Sequence, residues 1–449
     1  MKKILLLIAG LAVVSCGNDA KSDPIDYTIV SGKIDNSKDG KIVVSKGDFK
    51  QEIALNDDGT FTDTLRVDTG YYTLMHNKDR AIVFLTPEKD VKLTTDATKF
   101  LDEMKFEGKG AAANKFLLGK ATRNKGRDAV AIFSMEEAEF MKTIIGFGEE
   151  SKKLIKEATD LDEDFIALEE KNIKYATLIN LSKYPSYYPY YSKNEDYEPS
   201  EAFKAHFENI DYDNEEDFNM FDNYKQIAMR HYSETLQPYK NLKGAVDSIK
   251  TLKSQSLKNA LAADLSYFVS PSGEDSDYLY KELTSISQDD KFKEELTKKY
   301  NTIKTLVAGN ASPKFNYENH KGGKTTLDDL KGKYVYVDVW ATWCGPCIAE
   351  IPSLKKVEKQ YHNKNVEFVS ISIDEKRDYE KWKKMVNEKE LGGVQLIADN
   401  AWKSKFVTDY VIEGIPRFIL IGPDGTIVNA DAPRPSSEKL IELFDELKI

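Results

Sequence analysis

The sequence predicts a multidomain protein: an N-terminal β-sandwich-like domain over residues 25–111, a central α-helical region over 112–305 and a C-terminal α/β domain over 308–449. Three observations carry that reading. Short β-prone runs alternate with turn signals in the first block. Apolar residues recur at three- and four-residue spacing in the second. Strand-like and helix-like runs alternate in the third. The chain has 449 residues, 41% hydrophobic and 31% charged, so several cores can be filled.

In the first block the β-prone runs are 27–30, 41–44, 62–67 and 81–85. Asp39-Gly40, Asp57-Asp58-Gly59 and Thr69-Gly70 punctuate them. In the second block, residues 136–155, 160–181, 257–268 and 278–300 carry helical periodicity with charged opposite faces. Between them runs Tyr184-Pro185-Ser186-Tyr187-Tyr188-Pro189-Tyr190-Tyr191. Its prolines lack an N–H and are expected to break the helix. Its tyrosines are read as packing between helices rather than as a binding platform. The acidic run 211–217 lacks the glycine and spacing of an EF-hand loop and reads as a solvated loop.

In the third block, strands are expected at 333–340, 366–373, 394–398 and 417–421. Helices are expected at 348–361, 379–389, 401–410 and 437–447. Asp424-Gly425 turns the chain into a last short strand at Ile427-Val428. Such a series gives an open α/β sheet with helices on both faces.

Net charge is −11, which argues against nucleic acid as a partner because phosphate binding needs clustered Lys and Arg. The three cysteines are Cys16, Cys344 and Cys347, so the fold is not stapled by disulfides. Residues 1–15 read as a basic start, a short apolar run and a small-residue boundary, too short to span a bilayer. That is the pattern of a secretory signal peptide. Val13-Val14-Ser15-Cys16 resembles a bacterial lipobox. The resemblance implies lipid on Cys16, a polar tether over 16–24, and a protein anchored to a membrane of the bacterial cell envelope, facing the periplasm.

Cys344 and Cys347 are three apart at the start of an expected helix, within disulfide reach. The helix N-terminus favours a thiolate on Cys344, the attacking species in exchange. Cys344 is therefore the expected nucleophile with an exposed sulfur, and Cys347, one turn in, the more buried resolving thiol. Pro346 sits where a missing N–H costs little. Half a zinc site is the competing chemistry, but a structural zinc needs about four Cys or His ligands. The five histidines show no ligand spacing, so no metal is expected. No cofactor is expected beyond the dithiol itself. Asp338, at the end of a buried strand, is expected to titrate high.

Val337 to Cys347 reads VDVWATWCGPC and resembles the thioredoxin-family signature nearly residue for residue. The resemblance implies a thioredoxin fold for 308–449, with Asp338 relaying protons to the buried thiol. It also makes Trp343, Gly345 and Pro346 the substrate-facing surface around the nucleophile. Glu350, three after Cys347, and Pro352 resemble the TlpA/ResA branch, in which such a glutamate lies near the dithiol and tunes it. The segment 364–400 matches that branch's inserted strand and helix. In Gly414-Ile415-Pro416-Arg417, Pro416 takes the place of the family's cis proline, and Ile415 the place whose backbone pairs with substrate. Arg417 departs from the usual Thr or Ser. The β-rich block, with its Asp-Asp-Gly-Thr-Phe turn, resembles the domain that precedes thioredoxin domains in Bacteroidetes envelope lipoproteins.

The expected function is an envelope thiol–disulfide oxidoreductase that reduces or isomerises disulfides in exported proteins. Its partners would be protein disulfides and a membrane or envelope electron donor. Two alternatives stay open: a thioredoxin-fold peroxidase, although Thr342 is two rather than three before Cys344, and a ligand-binding lipoprotein with a subsidiary redox domain.

Overall fold

The structure, a computed structural model, describes residues 25–271, 273 and 275–449. The expected signal peptide, Cys16 and the tether lie outside the described residues. The chain divides into two compact units. One holds the residues up to Ile210 together with Met220–Ile227, and the other holds Asp211–Asn219 with Ala228–Ile449. The helical stretch expected at 112–305 is thus apportioned between the two.

The first unit begins with eight strands: β1 (Tyr27–Asp35), β2 (Lys41–Lys46), β3 (Phe49–Ala54), β4 (Thr60–Arg66), β5 (Gly70–His76), β6 (Asp79–Leu85), β7 (Val91–Asp96) and β8 (Lys105–Glu107). They form two four-stranded sheets, β4-β1-β7-β8 and β3-β2-β5-β6. Only β1 and β7 run parallel within them. Alternate residues point inward, so Val30, Ile42, Val44, Leu65, Val83 and Leu93 form the shared core. Helices α1 (Ala111–Asn124), α2 (Ala129–Phe133), α3 (Glu137–Glu157), α4 (Glu163–Ser192) and α5 (Glu201–Lys204) follow.

One expectation fails here. Helix α4 does not break at the prolines; it runs 30 residues with Pro185 and Pro189 inside it. The two missing N–H groups are four residues apart and fall on one face. Tertiary packing outweighs the roughly 3 kcal/mol cost of an interior proline. Tyr184 stacks on Phe140 at 4.1 Å between ring centres and on Tyr188 at 4.9 Å. The Tyr184 hydroxyl donates to the Met135 carbonyl (2.6 Å) and the Tyr188 hydroxyl to Glu136 (2.9 Å). Tyr187 and Tyr190 stay exposed.

Helices α6 (Glu215–Met220), α7 (Asp222–Leu236), α8 (Leu242–Thr251), α9 (Gln255–Leu265), α10 (Ser276–Ile286) and α11 (Asp290–Ile303) continue the chain. The single helix expected over 278–300 is two, α10 and α11. Asp289 accepts the Phe292 N–H (3.0 Å) and so starts a new helix. The acidic run is loop only to residue 214 and then opens α6; Asp211, Glu215 and Glu216 are exposed, but carboxylates of the run are tied down. Asp213 accepts the Lys253 and Ser254 N–H groups (2.7 and 2.8 Å), and Glu215 accepts the Ser254 hydroxyl (2.7 Å) and both donors of Ser256 (3.0 and 2.6 Å). These carboxylates clasp the N-terminus of α9, where anions are favoured.

The rest of the second unit is a seven-stranded sheet with order β10-β9-β13-β12-β11-β14-β15. Its strands are β9 (Asn316–Asn319), β10 (Lys324–Thr326), β11 (Tyr334–Trp340), β12 (Val366–Ser372), β13 (Val394–Ile397), β14 (Arg417–Ile421) and β15 (Ile427–Asn429). Helices α12 (Gly345–Tyr361), α13 (Tyr379–Glu388), α14 (Lys405–Asp409) and α15 (Glu438–Glu446) cover it. Strands β11, β12 and β13 are parallel and the others antiparallel. Central β11 is buried on both faces, and its apolar run is interrupted at Asp338. Val335, Val337 and Val339 pack in one cluster with Trp382, Leu396 and Phe406. Tyr336 packs in another with Leu354, Phe418 and Phe444. Among the described residues, no helix is long and apolar enough to cross a membrane.

Candidate active site

Strand β11 ends at Trp340, and the loop Ala341-Thr342-Trp343 delivers the chain to α12, whose N-cap is Cys344. Pro346 occupies the first turn of α12, where no partner for an N–H is needed. Cys344 and Cys347 are joined in a disulfide. The Cys347 N–H donates to Cys344 Sγ (3.1 Å), so the helix end offers a backbone donor to that sulfur. Cys344 is as buried as Cys347, 5% against 4% accessible, rather than the exposed sulfur that its position suggests. The reason lies in what surrounds it. The peptide bond Ile415–Pro416 is cis, and the Ile415 carbonyl oxygen lies 3.8 Å from Cys344 Sγ. Trp343, Gly345 and Pro346 make the exposed rim.

Asp338 pairs in register with Ser370 of β12 and Phe418 of β14. Burial drives its carboxyl from the usual 3.8 up to about 7. A hydrogen bond with Ser370 opposes that rise, and the charges of Glu350 and Glu358 reinforce it. Both glutamates are on α12, so Asp338 titrates under the helix that the dithiol begins. A carboxyl poised near neutrality can both give and take a proton.

Glu350 is half-buried and accepts the Ser436 N–H (3.1 Å) and hydroxyl (2.8 Å), fastening α12 to the loop before α15. Its link to the site is the field it adds at Asp338. Helix α12 runs on through Pro352 to Tyr361. Arg417 forms an ion pair with Asp431 (2.8 Å), which gives the arginine a partner in a place that usually holds a small hydroxyl residue.

One residue escaped the sequence reading. Asp374, 2% accessible, accepts the Thr342 N–H (3.0 Å), the Thr342 hydroxyl (2.7 Å) and the Ser372 hydroxyl (2.7 Å). It fixes the loop that carries Trp343 and Cys344. Only the pairing of β11 with β12 brings it there. No local motif marks it.

Two cysteines three apart, joined at a helix N-terminus opposite a cis proline and preceded by a strand whose Asp338 carboxyl burial raises to about 7, define a thiol–disulfide redox domain. The comparisons agree. A family model described as Redoxin matches residues 307–442. The ResA thiol–disulfide oxidoreductase of Bacillus anthracis is 31% identical over 135 residues, covering 30% of this chain and 75% of that protein. The ResA protein of Bacillus subtilis is 28% identical over 133 residues, covering 29% and 72%. Among solved structures, the thioredoxin domain of a thiol–disulfide oxidoreductase from Bacteroides vulgatus is 30% identical over 32% of this chain and 98% of its own, with a TM-score of 0.29. The chain belongs, through this C-terminal domain, to the ResA-like thiol–disulfide oxidoreductases of the thioredoxin family, and it is an enzyme of that class.

Proposed function

We propose that the protein reduces or isomerises disulfides in exported proteins at the bacterial cell envelope, held there by lipid on Cys16. In the reduced enzyme, the Cys344 thiolate attacks one sulfur of a substrate disulfide. The substrate S–S bond breaks, a mixed disulfide forms on Cys344, and the departing sulfur takes a proton. The Cys347 thiol then gives its proton to the Asp338 carboxylate and attacks Cys344 Sγ. The second substrate sulfur leaves as a thiol, and the enzyme is left as the Cys344–Cys347 disulfide. Two electrons have passed from the enzyme to the substrate; the first departing sulfur takes a proton from solvent in place of the one Cys344 had shed, and the second takes back the Cys347 proton from Asp338. An envelope dithiol donor returns the electrons. Trp343, Gly345, Pro346, Ile415 and Pro416 form the surface on which the substrate lies, and Glu350 holds up the Asp338 midpoint.

The observation that carries this reading is the Cys344–Cys347 pair at the N-terminus of α12, facing the cis Ile415–Pro416 bond, with burial raising the Asp338 carboxyl of the preceding strand. The Gly-Pro pair between the cysteines favours the reducing direction by its likeness to reducing thioredoxins. In the test, Cys347→Ser chain is mixed with reducible envelope proteins. It should trap them as mixed disulfides that dithiothreitol releases, and reduced wild type should reduce insulin. No capture together with no insulin reduction overturns the proposal. Peroxide consumption without disulfide exchange would favour the peroxidase reading. The anchor is tested separately, because Cys16→Ser should move the protein from the membrane fraction to the soluble one.

A further inference from the structure

Exposed aromatic side chains that form a contiguous patch mark a binding surface, whereas single scattered ones are ordinary. Several exposed aromatics converge on the dithiol, all within the second unit. Trp343, beside Cys344, is 50% accessible, and Trp402 lies 6.4 Å away between ring centres. On the other flank, Ile415 touches Cys344 and Gly414 precedes it. Gly414 meets Tyr267, an exposed residue of the 3-10 turn Ser266–Phe268 that follows α9. A methyl group placed on Gly414 would sit 3.3 Å from the Tyr267 hydroxyl oxygen. The apolar surface goes on from Tyr267 through Phe268 to Tyr239.

A clip holds this arrangement. Lys299 of α11 donates to the Ser266 carbonyl (2.8 Å) and to Glu413 (2.6 Å), with its own side chain only 11% accessible. One lysine therefore joins the tyrosine turn to the loop that carries the cis proline. The helical segment thus takes part in the wall of the redox site.

We infer that Tyr267, with Trp402 and Trp343, forms an aromatic cleft across the dithiol that selects an extended polypeptide with a bulky apolar residue beside its disulfide cysteine. The inference rests on the disulfide-exchange reading above and names its substrate class. Aromatic surface lies on both flanks of the sulfur. A small disulfide touches one flank only, whereas an extended chain spans both while its cystine lies over Cys344. Apolar contact of this kind discriminates about tenfold per well-placed side chain.

The test uses reduced full-length protein and two peptides that differ only in Trp or Ser next to a cystine. Wild type should reduce the Trp peptide with kcat/KM about tenfold above the Ser peptide. Tyr267→Ala should bring that ratio close to one, chiefly through KM. Lys299→Met, which frees the tyrosine turn, should lower it as well. The dithiol's reduction potential should stay at the wild-type value in both variants, which shows the redox centre intact. A wild type that reduces both peptides equally overturns the inference alone, as does a preference that survives both substitutions. A wild type that reduces neither peptide nor insulin overturns the exchange reading, and this inference with it.

Discussion

Glu169 and Asp338 are both enclosed carboxyls, one in each compact unit, and their surroundings treat them in opposite ways. Glu169, on α4, is fully buried and surrounded by donors. Tyr71 donates to it at 2.7 Å, Asn172 at 3.0 Å, and Lys120 forms an ion pair with it. Asp338 has the Ser370 hydroxyl and otherwise two like charges, Glu350 and Glu358. The first arrangement supplies the carboxyl with hydrogen-bond donors and a cation. The second keeps a proton near release. A buried carboxyl is therefore no sign of chemistry by itself; what matters is whether its donors have been supplied or withheld.

The largest expected effect strips the satisfied carboxylate. Lys120→Ala leaves Glu169 buried without its cation and should cost about 3–5 kcal/mol of stability, read by denaturant unfolding. A change below about 1 kcal/mol would mean that the remaining donors to Glu169 compensate for the lost ion pair. Next in size is Asp338→Asn, which should lower disulfide reduction about a hundredfold at pH 7 while stability holds or rises.

The sign of that second effect follows from proton binding. Folded Asp338 keeps its proton to about pH 7, whereas the unfolded carboxyl releases it near 3.8. The folded state binds the extra proton between those values. Its contribution to stability is fully present below the lower value and is lost as pH rises through the upper one. Unfolding midpoints followed across that range should fall with pH in wild type and lose this slope in Asp338→Asn.

Asp374→Asn comes third. It trades an acceptor-only group for one with donors facing donors, so the Thr342 loop should loosen. Turnover should fall about tenfold, a loss of aim rather than of chemistry. Its pH midpoint should stay where Asp338 sets it, and a shifted midpoint would mean that Asp374 acts on the proton itself. Glu350→Gln is the smallest. Removing one negative charge near Asp338 should move the activity midpoint down by less than about one pH unit, and an upward move would contradict the like-charge account.

Much of the second unit could be read from the chain. Its buried strands appear as short apolar runs and Asp424-Gly425 marks the last turn, so β11 to β15 fall within a residue or two of expectation, whereas the short edge strands β9 and β10 lack such a run. The dithiol, Asp338 and Pro416 stood out for the same reason: local context marks them. The misreadings share a different cause. Pro185 and Pro189 look like breakers until Phe140, Met135 and Glu136 supply partners from α3 and the residues before it. The run 211–217 looks solvated until Ser254 and Ser256 come to it across about forty residues. Asp374 acquires meaning only when β12 lies beside β11. Short-range pattern carries the elements, and long-range pairing decides what an isolated carboxylate or proline does.

The clasp at α9 has one more consequence, for acid tolerance. Although burial opposes it, hydrogen bonds from Ser256 and Ser254 hold the Glu215 carboxyl down to about 2, below its usual 4.5. A depressed carboxyl stabilises the fold at pH above its ordinary value and lets go only as acidity approaches the lowered one. The N-terminus of α9 thus keeps its latch through mild acidification.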